Sequence, residues 1–316
     1  MASLLAIGEC MIELYETANN TYHRSFAGDT FNSAVYTKRW NSSIAVSYLT
    51  ALGTDHLSDE ILKQCEDEGI NQSLIFRSPS EQPGIYIIST DKLGERNFAY
   101  WRRQSAAKQM MLLFNEHINV ESLDTFDVVY FSGISLAILS DEDKGKLLDL
   151  IISLRNRGTK VAFDPNFRAG MWNNLNHAKR WFNRAYQTCD IALPGLDDHL
   201  ALFGHKTKED IREFLINLGV HEVVIKCGEN GVFCYDIDSN HFHLPFIAAK
   251  MQVDSTAAGD AFSGTYLASR INGENISVAL NAAAKVSRLV VQHQGAIMER
   301  STYNANLTSE KNCLIS

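Results

Sequence analysis

Asp254-Ser255-Thr256-Ala257-Ala258-Gly259-Asp260-Ala261-Phe262-Ser263-Gly264 follows an apolar, strand-like run from Ile247 to Val253 and leads, without a proline, into the helical pattern of Thr265 to Arg270. The order predicts a strand, a tight junction and a helix. The first turn of a helix leaves four backbone N–H groups without intrahelical acceptors and carries the positive end of the dipole, so it attracts phosphate oxygens. Ala257, Ala258 and Gly259 keep side chains clear of that turn. Glycine inside a helical turn costs about 1 kcal/mol relative to alanine, which implies that something approaches the backbone closely at Gly259. A carboxylate beside a phosphate is repulsive unless it does chemistry, and Asp260 stands where a general base would take a proton from an attacking hydroxyl. An ordinary capped helix, with Ser255 or Thr256 as N-cap and Asp260 favouring the dipole, fits the same spacing.

The segment resembles the C-terminal signature of the ribokinase-like (PfkB) carbohydrate kinases, D-T-x-G/A-A-G-D. It departs in having Ser255 where threonine is usual, a change that keeps the hydroxyl. The resemblance implies an α/β fold in which a doubly wound, mostly parallel sheet is flanked by helices and carries a small antiparallel β-lid. It also implies that Asp260 is the base and that Ala257, Ala258 and Gly259 hold the charge of the transferring phosphoryl group.

Working outward, the 316 residues carry no linker, repeat or low-complexity tract, and one domain over 1–316 fits better than two. Hydrophobic content of 45% and charged content of 21% suit a globular enzyme with a large core. A net charge of −8 argues against nucleic acid or an acidic membrane as partner. The six cysteines (Cys10, Cys65, Cys189, Cys227, Cys234 and Cys313) form no C-x-x-C pair and read as reduced thiols of a cytoplasmic protein. Met1 to Gly8 has no basic region and reads as a first strand instead of a signal peptide, and no run is long enough to span a bilayer.

Leu4 to Ile7 has the pattern of a buried strand, and the partial alternation of Gly8 to Leu14 suits a strand leaving the core for an exposed sheet. Phe26-Ala27-Gly28-Asp29-Thr30-Phe31-Asn32 opens a helix to about Trp40. Gly28 permits close backbone approach there, and Asp29 and Asn32 offer the acceptors and donors that sugar hydroxyls need. Asp29 alone would equally serve as a helix cap. The segment is similar to the family's G-G-D/N-x-x-N substrate motif, with Ala27 replacing the first glycine. Gly84 to Thr90 and Arg96 to Arg102, on either side of Asp91 to Glu95, give a hairpin signal; with residues 12–25 they predict a small sheet placed over the sugar as a lid.

Tyr86, Tyr100 and Arg102 stand on those strands, where packing is the ordinary role of tyrosine. The words Gly8-Glu9-Cys10-Met11-Ile12-Glu13-Leu14, Gly84-Ile85-Tyr86, Gly94-Glu95-Arg96, Tyr100-Trp101-Arg102 and Phe131-Ser132-Gly133-Ile134-Ser135-Leu136-Ala137 narrow the resemblance to sugar-acid kinases of the family, those acting on 2-keto-3-deoxygluconate. That likeness spans essentially the whole chain and implies sugar-acid contacts for Tyr86, Tyr100 and Arg102.

Lys160 to Phe163 predicts a strand that delivers Asp164-Pro165-Asn166-Phe167-Arg168 to a loop, and ligands of open α/β sheets sit beyond such strand ends. This stretch is similar to the family's D-x-N-x-R, which implies that Asn166 and Arg168 lie near phosphate and substrate. Asp190 to Asp198 occupies the place of the family's N-x-x-E, which orders magnesium-bound water; Gly195 replaces the asparagine and Asp198 the glutamate, and the shorter carboxylate can still act through water. Glu222 to Val232 reads as a strand, a glycine turn and a returning strand, and the family's K-x-G-x-x-G turn implies that Lys226, Gly228 and Gly231 line the nucleotide. A helix from Ser277 to Gln294 would bring Asn281 and Ala284 toward the adenine. His241-Phe242-His243 reads as a surface strand. The implied cofactors are ATP and Mg2+, with a monovalent cation as a further candidate, and an exposed apolar face on the small sheet would permit a homo-oligomer. A kinase for a neutral sugar such as fructose or ribose, and a non-catalytic sugar-acid sensor, are the competing readings.

Overall fold

Along each central strand, successive side chains point to opposite faces, and both faces are apolar. Leu5, Ile7, Val129, Phe131, Val161, Phe163, Val223 and Ile225 enter one buried cluster. Their neighbours Leu4, Ala6, Val128, Tyr130, Ala162 and Val224 enter another. Strands buried on both faces need helices on both, which is the condition for a parallel, doubly wound sheet.

The computed structural model describes residues 2–17, 21–90, 96–238 and 240–313. Its strands are β1 (Ser3–Ile7), β2 (Met11–Glu16), β3 (Tyr22–Ala27), β4 (Ala45–Leu52), β5 (Ile70–Asn71), β6 (Ile75–Arg77), β7 (Ile85–Thr90), β8 (Arg96–Trp101), β9 (Val128–Ser132), β10 (Lys160–Asp164), β11 (Ile191–Ala192), β12 (Glu222–Lys226), β13 (Val232–Asp236) and β14 (His241–Leu244). The main sheet runs β14-β13-β12-β11-β10-β9-β1-β4-β5, with β6 also on β4. Pairing is parallel from β12 through β10, β9 and β1 to β4, and antiparallel from β12 to β14. Helices Asp29–Trp40, His56–Glu68, Ala258–Ile271 and Ile276–Val290 cover one face. Helices Met110–His117, Asp141–Asn156, Leu175–Thr188, Leu196–Phe203 and Lys208–Asn217 cover the other. A doubly wound, mostly parallel sheet flanked by helices is the architecture that the resemblance implied.

The chain steps from β1 through Gly8–Cys10 into the lid, a second sheet of order β3-β2-β7-β8. Its edges are antiparallel, while the central β2–β7 pair is parallel because the two strands belong to different hairpins. The hairpin turn expected at Asp91 to Glu95 lies outside the described residues, as does the middle of residues 12–25. The lid seats Met11, Ala27, Tyr86 and Ile88 against Ala296 and leaves Tyr22, Phe98, Tyr100 and Trp101 exposed.

Three expectations about elements change. Ile247 to Val253 is not a strand: β14 ends at Leu244, and Ile247, Met251 and Val253 are exposed, so the apolar run faces a cavity rim instead of a sheet. The last long helix is Ile276–Val290, capped by Asn275 and shorter than Ser277 to Gln294. The helix after the signature begins at Ala258 with Ala257 as N-cap, and neither Ser255 nor Thr256 caps it. Ser140 caps Asp141–Asn156, accepting the Asp143 N–H.

Two helices meet unusually closely. A Cβ at Gly264 would stand 2.2 Å from the Ser33 carbonyl oxygen, so only glycine lets Ala258–Ile271 pack this tightly on Asp29–Trp40. The contact is fixed by Thr37 Oγ1 donating to the Gly264 carbonyl at 2.9 Å and Ser33 Oγ to the Asp260 carbonyl at 3.0 Å. Both N-termini consequently open into the same cleft.

Candidate active site

At the C-terminal ends of the parallel strands, beneath the lid, is a cleft of about 910 Å³. Beside it is a second cleft of about 1090 Å³, bounded by the Cys227–Val232 turn, the 244–249 segment and the Ile276–Val290 helix. Lys226, Gln252, Ser255 and Gly259 line both. Every residue singled out from the sequence lines one or the other. Gly28, Asp29, Asn32, Tyr86, Tyr100, Arg102, Asn166, Arg168, Asp198, Ala257 and Asp260 line the first; Gly228, Gly231, Ala258, Asn281 and Ala284 line the second.

The backbone is strained at this place. Among the described residues, Asn166 and Ala257 are the non-glycine residues with positive φ, at 35° and 60°. Both line the first cleft, and such strain persists where the surroundings over-determine it. Asp254 holds the Ala257 corner, one carboxylate oxygen accepting the Thr256 N–H at 2.7 Å and the other the Gly295 N–H at 2.9 Å. The first intrahelical bond there is Ala261 N–H to the Ala257 carbonyl, so the N–H groups of Gly259 and Asp260 precede the helical ladder and face the junction of the clefts. A Cβ at Gly259 would lie 3.9 Å from Lys226 Nζ, the nearest atom, so glycine here leaves the backbone bare toward a lysine amine.

Asp260 sits on the cleft floor, where Asn32 Nδ2 donates to its carboxylate at 2.8 Å. Burial and then the charge of Asp29 push its carboxyl up to about 7, with Asp164 adding to the rise and Asn32 and Lys226 opposing it. Asp260 is only partly covered and opens on the cleft. Asp29 does not cap its helix; Gly28 is the N-cap, and the Asp29 carboxylate accepts from the next N–H at 2.8 Å and from Asn166 Nδ2 at 2.9 Å. Asp164 accepts from Lys226 Nζ at 2.7 Å and Ser263 Oγ at 3.1 Å. Asp198, raised to about 6 by burial and then by Asp164, faces the exposed Arg168 guanidinium at 3.9 Å. Among the described residues no three potential ligands cluster as a metal cage. That donor set fits Mg2+, which is held by one or two carboxylates together with phosphates and water.

Beneath the lid, Tyr86 donates its hydroxyl to Glu13, which is fully buried and also accepts from Ser25 Oγ at 2.7 Å. Arg102, one residue past β8, pairs with the buried Glu9 and lies 5.9 Å from the Tyr100 ring, while Trp101 turns outward. Tyr100 and Arg102 thus share a face, as strand alternation requires. Sequence reasoning missed Glu9, Glu13 and Asp164 as site residues, although all three stand within quoted motifs. Two glutamates in an otherwise apolar stretch, Gly8 to Leu14, were the signal available for the first pair. In the second cleft, Gly231 has φ 83°, and a Cβ there would stand 2.2 Å from the Leu244 carbonyl oxygen; Gly228 has φ 55°. Both glycines of the turn are required by its conformation.

Such a cleft, with a carboxylate at a bare helix N-terminus between a polar and a more apolar cavity, belongs to a small-molecule phosphotransferase. Residues 1–302 match the family model described as pfkB family carbohydrate kinase, and the chain belongs to that family. It is 36% identical over 315 residues to a 2-dehydro-3-deoxygluconokinase from Haemophilus influenzae, covering 99% of this chain and all of that one. It is 38% identical over 306 residues to the protein of the same name from Escherichia coli, covering 96% and 99%. Among solved structures it is similar to one described as a ribokinase II from Escherichia coli in complex with ATP and Mg2+, with a TM-score of 0.82, 22% identity, and 97% and 100% of the two chains covered. No helix among the described residues is long and apolar enough to cross a membrane.

Proposed function

We propose that this chain is an ATP-dependent kinase that phosphorylates 2-keto-3-deoxy-D-gluconate on its terminal hydroxyl, giving the 6-phosphate. The observation that carries the reading is Asp260, a carboxylate raised toward neutral pH on the first turn of a helix, where the two clefts meet. The names of the relatives at 36% and 38% identity support the choice of sugar acid.

In this reading the substrate lies in the first cleft, with Gly28, Asp29 and Asn32 on one side and Tyr86, Tyr100 and Arg102 on the lid side. Tyr86 commits its proton to Glu13, so its oxygen is left to accept from a substrate hydroxyl. Asp260 takes the proton of the attacking hydroxyl as that oxygen bonds to the γ-phosphorus and the bond to the ADP oxygen breaks. A base near neutral pKa is matched to that task. The N–H groups of Gly259 and Asp260, at the turn that Ala257 and Ala258 shape, and the Lys226 amine stabilise charge on the transferring group; the Ala258 N–H is itself donated to the Ser255 carbonyl. ATP occupies the second cleft along Lys226, Gly228 and Gly231, with the adenine near Asn281 and Ala284, and Asn166 and Arg168 serve the phosphates or the acid. Mg2+, with Asp198 acting through water, neutralises phosphate charge when bound.

Buried free thiols suit a cytoplasmic enzyme, and the exposed lid rings Tyr22, Phe98 and Trp101 suit a homo-oligomer. A coupled ADP-release assay over sugars and sugar acids tests the reading. Preferred turnover of 2-keto-3-deoxygluconate is expected; preferred turnover of fructose or ribose would reassign the enzyme to a neutral sugar, and binding without ATP turnover would make it a sensor. Exchanging potassium for a bulky ammonium ion in the same assay measures any monovalent-cation dependence.

A further inference from the structure

Glu9 is two residues beyond β1, in the three-residue passage from the main sheet to the lid, and its side chain is 1% exposed. Its Oε2 accepts from Arg102 Nη2 at the far edge of the lid, so the pair spans the exit of β1 and the end of β8. Only one hydrogen bond joins them, where a guanidinium and a carboxylate can form two in parallel. Glu9 Oε1 and Arg102 Nε are both buried without a partner among the described residues. Gly84 makes the space: a Cβ there would lie 2.9 Å from Glu9 Oε1 and 3.1 Å from Arg102 Cβ. Met171 Sδ, 3.8 Å from Nη1, and the Tyr100 ring confine the guanidinium from other sides.

We propose that Glu9 is a positioning residue for substrate recognition and acts through Arg102. The inference deepens the reading of the first cleft as a sugar-acid site. A part-buried arginine without an acid beside it would swing toward other carboxylates of the cleft when the site is empty. Glu9 holds it against the wall before substrate arrives, so less ordering is left to be done on binding. Because Glu9 already offsets its charge, Arg102 discriminates by the direction of its remaining N–H groups more than by net charge. The single-bond pairing leaves those groups unspent.

The test compares KM and kcat of Glu9→Ala, Glu9→Gln and Glu9→Asp on whichever sugar the panel assay shows to be phosphorylated. A wrong substrate assignment therefore appears as absent turnover of 2-keto-3-deoxygluconate by the unaltered enzyme and leaves this test intact. Glu9→Ala is expected to raise KM for the sugar by about tenfold or more, the scale of a lost charge-assisted hydrogen bond, while kcat and KM for ATP change less than about threefold. Glu9→Gln, which keeps an acceptor for Nη2, is expected to restore KM to within about threefold of the parent. In an Arg102→Ala background, Glu9→Ala should add nothing further. An unchanged KM in Glu9→Ala, or its full effect persisting without Arg102, overturns the proposal. Should Glu9→Ala not fold, Glu9→Asp decides: it keeps the charge but withdraws it by one methylene, so a larger KM than that of Glu9→Gln supports positioning and a smaller one overturns it.

Discussion

Replacing Asp29 with Asn is expected to shift the pH dependence of turnover toward acid. The Asp260 carboxyl, ordinarily near 3.8, is pushed up to about 7 by burial and next by the charge of Asp29. If only ionised Asp260 accepts the proton, the active fraction is about one-tenth at pH 6 and about nine-tenths at pH 8, and kcat/KM rises roughly tenfold across that window. Asparagine keeps the shape of Asp29 and removes its charge. A midpoint lowered by about one pH unit, the ordinary scale for a neighbouring charge, leaves only about a twofold rise over the same window. Asp198, pushed up to about 6, adds a step of its own, so Asp198→Asn serves as a background in which the Asp29-dependent shift should persist. Coupled ADP release at constant ionic strength, with the coupling enzymes in excess at each pH, reads the profile. Asp29 also lines the substrate cleft, so the profiles are compared after scaling to their plateaus. A parent profile flat between pH 6 and 8, or an Asp29→Asn profile that superimposes on the parent, refutes Asp260 as the titrating base.

Asp260→Asn should lower turnover by roughly 10²–10⁴-fold with ATP binding little changed; retention within about tenfold would remove Asp260 from the chemistry. The same variant should melt higher than the parent at pH 8 and not at pH 4. The folded pKa lies above the unfolded one, so ionising Asp260 costs stability that is lost as pH rises from about 4 to about 7. Arg102→Ala should raise KM for the sugar acid by the equivalent of about 1.5–3 kcal/mol, about 10- to 150-fold, and leave weak activity on neutral sugars nearly unchanged. Equal losses on both would direct attention to Arg168→Ala. Hydrogen exchange should show residues 84–90 and 96–102 less protected than the main sheet and gaining protection with sugar acid, whereas protection indifferent to ligand would mark a fixed interface.

Much of the main sheet could be read in the sequence because a strand buried on both sides leaves an uninterrupted apolar run, as in Val128 to Phe131. The Ala257–Asp260 turn stood out because bare glycine and alanine beside an acid make poor sense in an ordinary helix, and the structure places it at the junction of the two clefts. Other features depend on tertiary placement. Ile247 to Val253 is as apolar as a strand, yet it borders the second cleft and makes no ladder. The parallel register of β2 on β7 joins residues more than 70 positions apart, which hairpin signals cannot report. The roles of Glu9 and Glu13 became visible only through the residues folded onto them: each is paired with a lid residue that the sequence did single out, Arg102 and Tyr86.

The glycine contact between the Asp29–Trp40 and Ala258–Ile271 helices divides the labour of the molecule. Asn32 and Asp260 are set at 2.8 Å by two helices clamped backbone to backbone, so the placement of the proposed base beside the proposed substrate residue is a property of the frame. The lid meets that frame through Met11, Ala27, Tyr86 and Ile88 against Ala296, through Ile12 and Phe26 in the helix-covered core, through the Arg24–Glu60 pair and through the Glu9 tether. Its residues can therefore be exchanged for those of a relative with another sugar preference while the reacting atoms keep their alignment. In such a chimera the choice of sugar should follow the lid, and the intrinsic speed of the chemical step should follow the helices.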